Sequence, residues 1–299
     1  MYSKTSKAIK LLLLFPALSF LPIPLAYRLA RMLAPMDGKA LEDYCTGLEN
    51  GIKRVLTTEG FPTKDIQACI RENLNMLSME IMDSFTVPRM GPEKIGLLSS
   101  ITGVEHIKEA SRKGKGLIIA TSHFGRLLMT PFTLGIMGVK VRSLSQDVSK
   151  NNPYLDWVDR IYLQNKVKKL YKTSRIKGIT LGEDLREIYR ALRKNDILFI
   201  LMDAYPPGVT RLEGHPFLGG VLKLPTGIER ISQRSKAPLV YASVKPAKEW
   251  RVKVEIRPIE GYGKHAFESA VKELEKDVSK QPCQWWQWGY MSAMWSPTA

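Results

Sequence analysis

His123 and Asp203 are the two residues of this 299-residue chain whose types and settings suit proton transfer. Each closes an apolar run: "GLIIATS" leads into His123 and "ILFILM" into Asp203. A neutral imidazole at the mouth of a site can take a proton from an attacking hydroxyl or amine, and such general-base help is typically worth about 10² to 10⁴ in rate. Gly125 permits a close approach of backbone or substrate. Arg126 is placed to bind phosphate or an oxyanion from the first turn of the helix expected after His123, where free N–H groups suit an anion. The structural alternatives are a packing histidine and an aspartate that turns or caps the chain before "AYPPG".

The ten residues after His123 contain no Asp or Glu. Asp203 is the first candidate to orient the imidazole, because an adjacent strand end would bring it near; Glu213 and Asp147 come next. Without such a carboxylate, the base is weakened or the site is inert. His215 is a loop residue or a second proton carrier. There is no G-x-S-x-G nucleophile motif, and Cys283 has no neighbour that would make its thiol acidic, so direct attack is favoured over a covalent intermediate. Cys45, Cys69 and Cys283 are odd in number and far apart, against a disulfide framework. The four histidines show no close ligand pair, so neither a metal nor another cofactor is implied.

Helix-like and strand-like stretches must position these groups. Residues 38–90 carry apolar positions at three-and-four spacing and read as helices. From residue 95 the pattern alternates: helix 103–115, strand 116–122, helix 126–137, strand 139–145, helix 181–196, strand 197–203, helix 225–236 and strands 238–244 and 250–258. That alternation predicts an α/β class with a mostly parallel central sheet flanked by helices, and ligands beyond the carboxyl ends of the strands. No linker divides residues 37–299, which are expected to form one domain.

Residues 1–36 are a separate case. Lys4, Lys7 and Lys10 precede an uncharged run from Leu11 to Tyr27, and Arg28 and Arg31 follow it. Fully helical, those 17 residues would reach about 26 Å, short of a hydrocarbon core of roughly 30 Å. Pro16, Pro22 and Pro24 favour a bent, re-entrant or interfacial membrane-associated helix over a straight span. Lys and Arg total 45 against 29 Asp and Glu, a formal charge of +16. Between Lys140 and Lys194 there are 14 basic and 6 acidic residues, including Lys166, Lys168, Lys169, Lys172, Arg175 and Lys177. An acidic partner fits, whereas no motif for nucleic acid accompanies the charge, so none is expected there.

Several stretches, in order, resemble the bacterial lipid A biosynthesis acyltransferases of the lauroyl and myristoyl type, within the lysophospholipid acyltransferase-like group. "TSHFGRLLM" is similar to the family's His-x4-acid block, "ILFILMDAYPPGV" to its apolar strand ending in Asp, and "GHPFLGGVLKLPTGIERISQRSKAPLVYASV" to its aromatic-glycine turn and following helix. "QPCQWWQWGYMSAMW" is similar to its tryptophan-rich C-terminus. The resemblance implies an enzyme that moves a fatty acyl group from an acyl carrier protein, or from acyl-CoA, to an amphiphilic acceptor at the cytoplasmic face of the inner membrane. His123 falls on the family's base, and Arg160 resembles an arginine found between the two motifs. Phe217 and Gly219 belong to a loop, Gly214 to Gly220, expected to close over the acyl chain or acceptor. Leu128 stands where the family has its acid, Arg126 where it has Asn, and Gly289 and Tyr290 where it tends to have His and Arg. The loss at 128 keeps open a second reading, an inactive homologue that binds an acyl chain or carrier protein as a partner subunit. The tryptophans suit an interfacial belt, an acyl-groove wall or plain core packing.

Overall fold

The computed structural model describes residues 4–34, 38–56, 65–148, 155–174, 178–181, 184–205 and 209–298. Its strands are β1 (Ser99–Thr102), β2 (Leu117–Thr121), β3 (Val141–Ser145), β4 (Ile179–Thr180), β5 (Ile197–Leu201), β6 (Leu212–Phe217), β7 (Gly220–Pro225), β8 (Leu239–Pro246), β9 (Val252–Ile259) and β10 (Trp295–Pro297). Seven of them form a central sheet in the order β1-β9-β8-β2-β5-β3-β4. The sheet is mostly parallel: only β8 and β9 pair antiparallel. β6, β7 and β10 make a second, antiparallel sheet.

β2 and β5 lie side by side in the middle, and both must bury two faces, which is why they read as unbroken apolar runs. Successive residues then serve opposite cores. Ile118, Ala120, Leu198 and Ile200 pack on one side with the helices Arg186–Arg193, Gly227–Ser235 and Gly263–Lys280. Leu117, Ile119, Ile197 and Phe199 pack on the other, against Val104–Arg112, Met129–Ile136 and Trp157–Ser174. The period of two is the strand's own alternation. Gly263–Lys280 joins the first core through Ala266, Phe267, Ala270, Val271, Leu274 and Val278, the stripe that three-and-four spacing creates.

Two expectations change. The helix expected from residue 126 begins at Met129, so residues 122–128 form a turn and no helix N-terminus abuts His123. The expected loop Gly214–Gly220 is the β6–β7 hairpin, closed by Leu218 and Gly219, both at positive φ (47° and 65°). A two-residue turn of that hand needs positive φ at both positions, and leucine gives no sequence signal for it. Within the cationic run, Lys166 lies 3.3 Å from buried Glu80 and is only 15% exposed. Arg175 and Lys177 lie outside the described residues.

The N-terminal segment is broken into Lys4–Ala8, a π-helical Ile9–Leu14, Phe15–Leu18 and Ile23–Met32. Pro16 supplies no N–H to the preceding turn and its ring crowds the carbonyl four residues back, a physical reason for the widened turn. Among the described residues no helix is long and apolar enough to cross a membrane. Phe15, Ala26, Tyr27 and Ala30 are buried, while Leu13, Phe20 and Met32 stay 63%, 74% and 68% exposed. Lys7 bonds Asp159 (2.6 Å) in the helix Trp157–Ser174 and Asp156 (3.0 Å) just before it.

A buried charge pair fixes this segment to the sheet. Asp83 is fully buried; it accepts from Tyr27 Oη at 2.6 Å, from Arg126 Nε at 2.7 Å and from Arg126 Nη2. Arg126 Nη1 donates to the Trp250 carbonyl at 2.5 Å. Burial pushes the neighbouring Glu80 carboxyl up, with Lys166 pulling it back. Breaking such a pair from one side strands a buried charge, so Asp83→Ala is expected to cost about 3–5 kcal/mol in urea unfolding, against about 1 kcal/mol for Tyr27→Phe.

Candidate active site

Pairing between β2 and β5 sets Thr121 opposite Leu201. Continuing both strands two residues in register sets His123 opposite Asp203, at the carboxyl ends where the sheet leaves a crevice. The register is kept past the strands: Met202 N–H donates to the Thr121 carbonyl at 2.7 Å, and His123 N–H donates to both Asp203 carboxylate oxygens at 2.9 and 3.0 Å. His123 Nδ1 lies 2.9 Å from Asp203 Oδ1. Asp203 is thus the carboxylate beside the histidine, the first of the three candidates. Glu213 instead pairs with Lys264 on the other sheet's flank.

Asp203 is fully buried and sees three N–H donors, the third being Trp285 Nε1 at 3.0 Å. Its buried oxygens are thereby satisfied. Its acceptor role matches a proton on Nδ1, the tautomer that leaves Nε2 with the lone pair. Gln287 Nε2 donates to the Asp203 carbonyl at 2.8 Å; it also lies 2.8 Å from Nδ1, where an amide N–H finds an acceptor only when the imidazole proton is on Nε2. His123 Nε2 has no hydrogen-bond partner among the described residues, and the ring keeps 23% of its side-chain surface exposed.

The turn after His123 is held by backbone bonds. Gly125 has φ +61°, and a Cβ there would lie 2.0 Å from the Val244 carbonyl oxygen, so its close approach is to β8 and not to a substrate. Its N–H donates to the Gln284 carbonyl (2.8 Å), and its own carbonyl accepts from Trp286 Nε1 (3.0 Å). The C-terminal segment therefore braces both halves of the dyad. Trp285, Trp288 and Trp295 are core residues at 0%, 1% and 3% exposure; Trp286 is the one that reaches the cleft, 5.6 Å from the His123 ring.

His123 opens into a cleft of about 860 Å³. Leu127, Leu128, Leu144, Leu170, Leu201, Ile228, Ile231 and Trp286 give it apolar walls, and Gln146, Thr210, Arg211, Thr226 and Arg230 add polar groups. Leu128 is part of that wall. Tyr290 also lines it, whereas a Cβ added at Gly289 would lie 3.9 Å from the Gly47 carbonyl carbon. Walls of this kind suit a hydrocarbon chain, with the imidazole lone pair at one end to receive a proton.

Other expected site residues lie elsewhere. Arg126 is 2% exposed with its donors spent on Asp83 and Trp250, so it does not serve the cleft as an anion clamp. Phe217 is 1% exposed and stacks at 5.3 Å behind Trp285; neither it nor Gly219 lines the cleft. Arg160 lies two turns before the lining residue Val167 on Trp157–Ser174 and is not in the lining itself. His215 is buried against Phe267 (5.2 Å), with burial pushing its pKa down, as expected of a neutral packing residue. Sequence reasoning missed Gln287 and Asn73. Asn73 Nδ2 holds the Cys283 and Trp285 carbonyls at 2.9 and 3.1 Å. Neither amide carries a sequence signal, since its role comes from two segments meeting.

A family model described as bacterial lipid A biosynthesis acyltransferase matches residues 4–288. No curated protein matches the chain. The geometry makes a direct prediction about the imidazole. In ¹⁵N-labelled protein at neutral pH, His123 is expected to show the Nδ1–H tautomer, and Asp203→Asn is expected to shift it toward the Nε2–H form; an Nε2–H signal in the unmodified protein would refute the assigned proton.

Proposed function

The chain belongs to the bacterial lipid A biosynthesis acyltransferase family, and from that premise we propose that it transfers a fatty acyl group from a thioester to an amphiphilic acceptor, with His123 as general base. The family's chemistry is acyl transfer. The observation that carries the finer reading is the ordered imidazole: Asp203 on Nδ1, and Nε2 open to an apolar cleft. His123 Nε2 takes the proton of the acceptor hydroxyl or amine as its oxygen or nitrogen attacks the thioester carbonyl. The tetrahedral adduct collapses, the C–S bond breaks, and the imidazolium returns the proton to the departing sulfur.

The acyl chain would lie between Leu128, Leu170 and Ile231. Arg211 and Arg230 at the rim, beside the N-terminus of Gly227–Ser235, would face the phosphate of a phosphopantetheine arm on an acyl carrier protein, or of acyl-CoA. Exposed Leu13, Phe20, Leu21, Leu25 and Arg28 suit residence on the cytoplasmic face of the inner membrane, as an interfacial segment and not a span. The loss of an acid at position 128 was the ground for reading an inactive partner subunit. A carboxylate from β5 beside His123 supports the active reading over that one.

With acyl carrier protein or acyl-CoA as donor and an envelope lipid extract as acceptor, His123→Ala and Asp203→Asn are each expected to lower turnover by about 10² to 10⁴, with fold and vesicle binding retained. Full turnover by His123→Ala would overturn the reading. Leu128→Glu is expected to lower activity, because it puts a charge into an apolar wall without a vacant role to fill. A gain of about tenfold or more, the order of one general-base contribution, would instead show that Asp203 does not orient the base.

A further inference from the structure

A second cavity, of about 390 Å³, lies behind the catalytic turn and takes no part in the proposed chemistry. Four arginines from four separate elements line it: Arg31 from Ile23–Met32, Arg71 from Ile66–Thr86, Arg126 from the turn after β2, and Arg251 at the start of β9. Their charges are not equally available. Arg126 is matched by Asp83 on the inner wall. Arg251 spends one nitrogen on the Gly96 carbonyl at 2.7 Å, a neutral partner. Arg31 and Arg71 are exposed and form no ion pair among the described residues.

Two carboxylates share the lining, Glu72 and Glu249. Glu72 Oε1 accepts from Gln284 Nε2 at 2.9 Å, and Glu249 is exposed. Three arginines with unspent donors against two carboxylates leave a net positive cavity, which favours a singly charged anion over a dianion. Guanidinium forks match phosphate oxygens two at a time, and Asn75 adds an amide. Met76 and Met79 pave the remaining wall, giving apolar surface next to the cationic rim. Arg31 is followed by Met32, 68% exposed, so the rim adjoins the apolar surface of the N-terminal helices.

We propose that this cavity binds a phosphate group, supplied as the singly charged phosphodiester headgroup of an anionic lipid. The site is separate from the acyl cleft, and its test reads binding and not turnover, so it can fail or succeed independently of the acyl-transfer reading.

The experiment compares full-length protein with Arg31→Ala/Arg71→Ala, and with a control of equal charge loss, Arg193→Ala/Lys194→Ala, whose side chains are exposed on another helix end. Partitioning is measured on phosphatidylcholine vesicles with and without phosphatidylglycerol, and thermal stability is measured with inorganic phosphate at fixed ionic strength. Loss of charge-assisted hydrogen bonds to a phosphate predicts that the double variant loses about tenfold or more in binding to phosphatidylglycerol vesicles, keeps its binding to neutral vesicles, and exceeds the control's loss clearly. Stabilisation by inorganic phosphate that disappears in the double variant, with vesicle binding unaltered, would support the same phosphate site with a soluble source. Losses equal on both vesicle types, losses equal to the control's, or no change in either arm would overturn the proposal.

Discussion

The structure turns on the pairing of β2 with β5. That one parallel ladder carries Thr121 opposite Leu201, and its continuation lets His123 N–H and Nδ1 both meet the Asp203 carboxylate. Side chains in a strand alternate faces, so a slip of one residue between the strands would send one partner to the opposite side of the sheet. The apolar faces of both strands enforce the register, because each feeds two cores at once. Core packing thereby sets the geometry of the dyad. No loop has to be ordered to bring the base and its carboxylate together.

Burying Asp203 completely is costly, and the fold offsets that cost with donors. Charged hydrogen bonds contribute about 1.5–3 kcal/mol each, and three N–H groups supply them, one from the indole of Trp285. This accounts for the tryptophan-rich terminus. Trp285 needs a fixed ring to aim its Nε1, and it gains one from Trp288 edge-on at 4.9 Å and Phe217 at 5.3 Å. Asn73 then pins the local backbone through two carbonyls. A segment some 80 residues beyond Asp203 thus belongs to the site as firmly as the strands do.

Much of this was readable from residues alone, for a definite reason. β2, β5 and β8 are apolar on two faces, so composition exposes them, and a strand's end is where a parallel sheet offers its chemistry. Asp203 could be nominated because "ILFILM" announces a strand like "GLIIATS". What escaped depends on non-local contact. Arg126 looks like an anion-binding residue until Asp83, 43 positions earlier, is seen to claim its donors. Phe217 sits in a hairpin whose turn has leucine at positive φ, against residue preference. Gln287 matters only because the C-terminus folds back over the sheet's edge.

Arg126 also ties two ends of the molecule together. It is three residues from His123, and its guanidinium holds the same carboxylate as Tyr27 of the N-terminal helix, with the ring centroid 5.0 Å away. Whatever the exposed face of that helix rests on, its buried face is wired to the turn that carries the base. A neutral amide such as asparagine at position 126 could not neutralise Asp83 in this way. Arg126 is thus neutralised inside the fold by Asp83, while Asp203 supplies the carboxylate beside His123.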